Sequence, residues 1–118
     1  MMKEQVIGQN KVIRTWGHYK VLYDSKGFRV KELVINPKSS LSMQKHQHRS
    51  ETWNIVSGEC YVLINNEKIK LEESKGIFIP VNTWHKGINN SNKPAHIIEI
   101  WRGNHLTEDD IERKKLIM

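Results

Sequence analysis

The chain has 118 residues, 37% of them hydrophobic, enough for one domain around one core. No apolar run approaches the ~18 residues of a membrane span, and the opening MMKEQVIGQN lacks the apolar stretch of a secretory leader. A single cysteine, Cys60, excludes a disulfide framework and a cysteine-based zinc site within one chain, so the expected compartment is the cytoplasm. Lys and Arg total 19 against 13 for Asp and Glu, a net charge of +6 that attracts anions. The basic residues are scattered rather than gathered on a helix stripe. Nucleic acid and membrane are therefore not expected as partners, and phosphorylated small molecules stay open.

In chain order, Arg14 to Tyr23 offers one or two strands broken at Gly17. Val30 to Ile35 (VKELVI) carries β-branched residues and stops at Asn36-Pro37, a turn pair that ends a ladder. Thr52 to Ser57 ends at Gly58-Glu59, and Tyr61 to Ile64 follows at once. Asn65-Asn66 then reads as a hairpin turn, because asparagine tolerates positive φ, and Lys68 to Leu71 returns from it. Gly76 to Pro80 is a short run closed by proline. Trp84 to Ile88 and His96 to Trp101 complete the set around the polar stretch Asn89 to Pro94. Short strands at this spacing predict an all-β sandwich or barrel. Trp53, Ile55, Trp84 and Trp101 are expected to pack its core. The one predicted helix is Thr107 to Ile117, with Thr107 as cap, Asp109 and Asp110 in the first turn and Arg113, Lys114 and Lys115 near the end.

The densest chemistry lies in Gln44-Lys45-His46-Gln47-His48-Arg49-Ser50-Glu51. In an extended chain Gln44, His46 and His48 share a face, and a turn at Arg49-Ser50 brings Glu51 round to them. Imidazole nitrogen with carboxylate oxygen is a ligand set that zinc, manganese, iron or nickel accepts. A further histidine, His85, follows Pro80 at the start of a later strand. His18 and His105 are read as surface residues.

At these residues the sequence resembles the cupin superfamily. Cupins carry a histidine pair, a glutamate and a glycine in a first motif, and P-x-G-x-x-H-x-x-x-N in a second. Glu51 with Gly58 matches the close of the first motif. Pro80, His85 and Asn89 match the second, with Asn82 where glycine is usual. The resemblance narrows to the C-terminal domain of type II mannose-6-phosphate isomerases, commonly fused to mannose-1-phosphate guanylyltransferase. The matching pieces are R-x-W-G at Arg14 to Gly17, F-x-V-K at Phe28 to Lys31, and L-S-x-Q-x-H-x-H-R-x-E-x-W at Leu41 to Trp53. V-S-G at Val56 to Gly58, I-P at Ile79-Pro80 and E-D-D-I at Glu108 to Ile111 follow in the family's order. The chain departs from the family at Lys38, where glycine is usual, at Glu32, where a basic residue is usual, and in the aromatic-glycine-arginine segment that follows the family's E-D-D-I.

The resemblance implies a single cupin domain over 1–118, with the first motif at about 38–58 and the second at about 74–89. Its fold would be an all-β double-stranded β-helix, a jelly-roll barrel, with the short C-terminal helix. It implies one divalent metal ion, zinc the first expectation, held by Gln44, His46, Glu51 and His85. The set His46, His48, Glu51 and His85 is the alternative. The activity implied is interconversion of mannose 6-phosphate and fructose 6-phosphate through an enediol. In that reaction His48 would move the proton, Lys31 would face the phosphate or polarise sugar oxygens, and Arg113 would be a second phosphate contact. A non-catalytic sugar- or anion-binding barrel of a polysaccharide pathway, and a metal-dependent cupin of another class such as a dioxygenase, stand beside it. A homodimer is implied as well, with Lys3 to Arg14 as an exchanging arm.

Overall fold

Alternation with period two runs through nearly every strand, so each buries one face, and two such sheets must close on each other. A computed structural model of the chain describes residues 10–114. Its strands are β1 (Val12–Arg14), β2 (Gly17–Ser25), β3 (Phe28–Ile35), β4 (Ser39–Ser40), β5 (Gln44–Lys45) and β6 (Ser50–Ser57). They continue with β7 (Cys60–Ile64), β8 (Glu67–Leu71), β9 (Gly76–Ile79), β10 (His85–Asn89), β11 (Ala95–Arg102) and β12 (Glu112–Arg113). One sheet runs β1-β2-β3-β11-β6-β9 and the other β12-β5-β10-β7-β8, with β4 beside β10. Every pairing is antiparallel, the arrangement of an all-β jelly-roll barrel. Among the described residues no helix is long and apolar enough to cross a membrane.

The inward residues of the first sheet divide the barrel interior into two halves. On β11 the inward positions run Ala95, Ile97, Glu99, Trp101. The register sets Ile97 between Leu33 and Ile55, but Glu99 between Lys31 and Trp53, and Trp101 between Arg29 and Glu51. One half is thus an apolar plug that includes Ile35, Val62, Leu71 and Ile97. The other is lined with buried charge, and it holds the site.

The turns behave as their residues require. Asn65 and Asn66 take φ of 48° and 68°, the left-handed pair of a tight hairpin. Asn82 and Lys38, both where the family has glycine, also sit in the left-handed region at 55° and 58°. Gly58 has φ 81°, and a Cβ there would lie 2.4 Å from the Pro94 carbonyl oxygen. Neither strain nor clash can relax without moving the β6–β7 turn. Gly58→Ala is therefore expected to destabilise the fold by about 2 kcal/mol or more, read as a lower urea midpoint at unchanged slope.

Three expectations are corrected. Described residues 107–114 form turns and β12, not a helix; residues 115–117 of the expected helix lie outside the described ones. The groups meant to start the helix are spent elsewhere. The Asp110 carboxylate accepts the backbone N–H groups of Gln47 and His48 at 2.9 and 2.8 Å, and Glu108 binds Lys31 and Arg29 at 3.1 Å. Trp84 is half-buried outside the barrel, its ring 4.9 Å from the Lys45 ammonium, whereas Trp53, Ile55 and Trp101 are buried as expected. Finally, Val12–Arg14 of the supposed exchanging arm has a partner within the chain, β2; residues 3–9 lie outside the described ones.

Candidate metal centre and cavity

Glu51 begins the inward row of β6, and its carboxylate is 1% exposed. His46 Nε2 lies 3.1 Å from Glu51 Oε2 and His85 Nε2 lies 3.5 Å from Oε1. The imidazoles are turned by their other nitrogens. His46 Nδ1 donates to the Asp110 carbonyl at 2.7 Å, and His85 Nδ1 donates to the Thr83 carbonyl at 2.9 Å. With its Nδ1 proton spent on a carbonyl, the neutral His46 ring presents its Nε2 lone pair to the carboxylate, and His85 Nε2 faces the same group. Two imidazole nitrogens converging on one carboxylate make a donor set for a cation. One ligand atom from each of His46, Glu51 and His85 falls within 4.8 Å of the others, a group able to hold a metal ion.

The titration behaviour suits such a site. Burial, together with the Arg49 charge and against the pull of Glu51, lowers the His46 pKa from 6.5 to about 4. The ring is thus neutral, as a ligand must be. Burial opposes ionisation of Glu51, but hydrogen bonds from His85 and Glu99 outweigh it and hold Glu51 well below the usual carboxylate range. Glu99 is driven the other way, first by burial and then by the Glu51 charge, and stays protonated well above the usual range. The Trp53 indole N–H bridges the two carboxyls at 3.0 Å each.

Arg49 is the cation already present. Its Nε donates to Glu51 Oε2 at 2.8 Å and its Nη2 to His46 Nε2 at 3.3 Å, while the guanidinium lies 3.4 Å from the Trp101 ring centroid. Beyond Glu51 opens a cavity of about 470 Å³ whose wall includes Lys31, Gln44, Arg49, Glu99, Trp101 and Arg113. The two imidazoles stand behind that wall, screened by Arg49 and Glu51.

Of the expected site residues, His46, Glu51 and His85 come together. Gln44 pairs across the ladder with His85 on one side and Arg113 on the other, so all three share one face of the second sheet. Lys31 is buried at the cavity, its ammonium 3.8 Å from the Tyr19 ring centroid and 4.3 Å from that of Trp101, and bound to Glu108. His48 does not join the group. It is exposed on the outer surface, edge-on to His105 with centroids 5.3 Å apart, because β5 ends at Lys45 and Asp110 turns the chain at Gln47 and His48. Its placement beside the metal set is corrected. Sequence reasoning missed Arg49 and Glu99. The period-two rule was the available signal: Arg49 stands two residues before Glu51, and Glu99 two after Ile97.

Two facing antiparallel sheets with a buried His-Glu-His group at one end define a cupin-type barrel. The family described as "Mannose-6-phosphate isomerase C-terminal" matches residues 2–115, and the chain belongs to that family. It is 35% identical over 111 residues to the xanthan biosynthesis protein XanB of Xanthomonas campestris, covering 94% of this chain and 24% of that protein. It is 38% identical over 103 residues to the alginate biosynthesis protein AlgA of Pseudomonas aeruginosa, covering 87% and 21%. The chain therefore spans about a quarter of the length of these curated relatives. A cupin described as a sugar phosphate isomerase, from Silicibacter pomeroyi, superposes with a TM-score of 0.66 at 14% identity, over 72% of this chain and 58% of that one. At that identity the likeness is one of fold.

Proposed function

We propose that the chain is a metal-dependent sugar-phosphate isomerase that interconverts mannose 6-phosphate and fructose 6-phosphate. The observation that carries this reading is the pair of imidazole Nε2 atoms turned onto one ionised carboxylate beside a cation-rich cavity. The donor set fits a divalent ion, zinc first, with His46, Glu51 and His85 as ligands and Gln44, across from His85, as the fourth. Arg49 must release His46 Nε2 for an ion to take it. When bound, the ion would polarise the sugar's carbonyl and hydroxyl oxygens.

The chain's own residues supply the rest. Aldose–ketose interconversion moves a proton between adjacent carbons through an enediol, which needs an acid–base group on the cavity wall. Glu99 takes the role expected of His48. It is the buried wall carboxyl outside the metal set, Glu108 being exposed and paired with Lys31 and Arg29, and a raised pKa makes its carboxylate a stronger base once ionised. Lys31, held between Tyr19 and Trp101, stabilises charge on the sugar oxygens. Glu99 Oε1 and the Trp101 indole nitrogen have no hydrogen-bond partner among the described residues, as fits a site built around a polar guest. The relatives XanB and AlgA are proteins of xanthan and alginate biosynthesis, which supports a sugar as substrate.

The test is solvent exchange. In D₂O, mannose 6-phosphate recovered from the metal-loaded protein should carry deuterium at C2 and the fructose 6-phosphate formed should carry it at C1. Recovery of unlabelled mannose 6-phosphate, with no product, contradicts the reading. A second reading, a non-catalytic sugar- or anion-binding barrel, is favoured by Arg49 alone, whose guanidinium already satisfies His46 and Glu51. It predicts a purified protein without bound metal.

A further inference from the structure

The cations on the cavity wall are not equivalent. Lys31 is paired with Glu108 at 3.1 Å and Arg49 with Glu51 at 2.8 Å. Arg14 and Arg113 line the same cavity, and neither has a carboxylate partner among the described residues. Arg14 spends one N–H on the neighbouring Ile13 carbonyl at 3.1 Å, and its guanidinium stands 5.6 Å from the Tyr19 ring centroid. Arg113 makes only the backbone ladder of β12 with Gln44. Each guanidinium carries five N–H donors in a rigid fork, so most of this capacity is uncommitted.

Their placement in the fold gives them one job. Arg14 sits on β1, the edge strand of the first sheet, and Arg113 on β12, the edge strand of the second. Both residues line the same cavity, so its wall receives one guanidinium from the edge of each sheet. Both are exposed, whereas Glu51 at the inner wall is 1% exposed. An edge charge that only discouraged sheet-to-sheet pairing would have no reason to line a cavity. Two uncompensated guanidiniums carry a charge of about +2, which matches a phosphoryl group at neutral pH in sign and size.

We propose that Arg14 and Arg113 form a two-arginine clamp at the cavity mouth that takes the phosphoryl dianion of the substrate. The clamp fixes which end of the sugar enters: the phosphate stays at the mouth, and the carbon chain points inward to Glu51, Glu99 and Lys31. This deepens the isomerase reading and rests on it for the identity of the sugar, though not for the anion. It adds Arg14, whose R-x-W-G motif then has a chemical reason: Trp16 and Gly17 lead the chain into β2 and leave the arginine on the rim. The clamp also makes the phosphate, rather than the hexose, the larger source of affinity.

The experiment is calorimetric titration of the full-length protein and of its Arg14→Ala, Arg113→Ala and doubly substituted variants. The probes are inorganic phosphate, mannose 6-phosphate and mannose, with thermal unfolding to confirm that each variant folds. Each single substitution should weaken mannose 6-phosphate and inorganic phosphate about tenfold, and the double substitution about a hundredfold. Mannose, which lacks the anion, should bind all four proteins alike. In turnover the effect should fall on KM far more than on kcat. Folded variants that bind both phosphates as tightly as wild type overturn the clamp, as does a wild type that binds neither. Phosphate binding lost in the variants of a protein that turns nothing over keeps the clamp and removes the isomerase. Turnover with KM unchanged in the variants does the reverse.

Discussion

Glu51→Gln is expected to empty the metal centre and to stop turnover. The carboxylate is the one negative group among the three converging donors, and it accepts from Arg49 and from Trp53 while facing both imidazoles. An amide carries no charge to offset a divalent ion, and its NH₂ end must face either the Arg49 or the Trp53 donor. The loss of activity should exceed the roughly 10–100-fold that removal of an outer partner of a ligand costs. Arg49, 5% exposed, would be left as a buried cation without its carboxylate, at a cost of about 3 kcal/mol or more in stability. Elemental analysis of the purified variant and a urea titration read the two effects separately. Metal retained at wild-type stoichiometry would remove Glu51 from the ligand set.

The second large effect is on pH dependence. His46 is driven to about 4 in the folded protein, first by burial and then by Arg49, against 6.5 for the free side chain. Between those values the unfolded chain binds the proton and the folded one does not, so stability rises with pH across the window. Taking metal-free protein from pH 6.5 to 4 should therefore cost on the order of 3 kcal/mol through His46 alone. Glu99 works in the opposite sense above the usual carboxylate range, since the folded protein keeps its proton where the unfolded chain loses it. Glu51 adds acid sensitivity only once the pH drops below its ordinary value of 4.5. The clean readout is the difference between wild type and His46→Gln in urea unfolding from pH 7 to 4. Wild type should lose its advantage steadily as the pH falls through that window. A pH-independent difference would mean that His46 is not held neutral by its surroundings.

Much of this was legible in the residues because local rules and tertiary demands agree. Val30 to Ile35, Tyr61 to Ile64 and His96 to Trp101 are short apolar runs rich in β-branched residues and closed by turn residues, and the strands appear there, extended by a residue or two. Asn65-Asn66 and Asn82 take the left-handed φ that their chemistry allows. The failures share a cause. At Thr107 to Asp110 every helix-start signal was real as chemistry, but the carboxylates bind distant partners: Glu108 on Lys31, Asp110 on the Gln47 and His48 amides. Side chains separated by about sixty or more residues outcompete a local cap, and no window on the sequence contains both. His48 was lost for the same reason. Strict alternation from Gln44 assumes a continuous strand, whereas β5 ends after two residues and Asp110 turns the chain. Trp84 reads as core by composition, yet it lies outside the barrel against Lys45. Arg49 and Glu99 were legible by alternation once their strands' inward faces were fixed by Glu51 and Ile97.

The decisive measurement is conversion of mannose 6-phosphate to fructose 6-phosphate by the purified protein, stripped by chelation and then reloaded with zinc, with metal content determined on the same samples. Turnover should disappear with the metal and return on reloading to one ion per chain. A protein that carries its ion at that stoichiometry and leaves mannose 6-phosphate unchanged would contradict the isomerase reading.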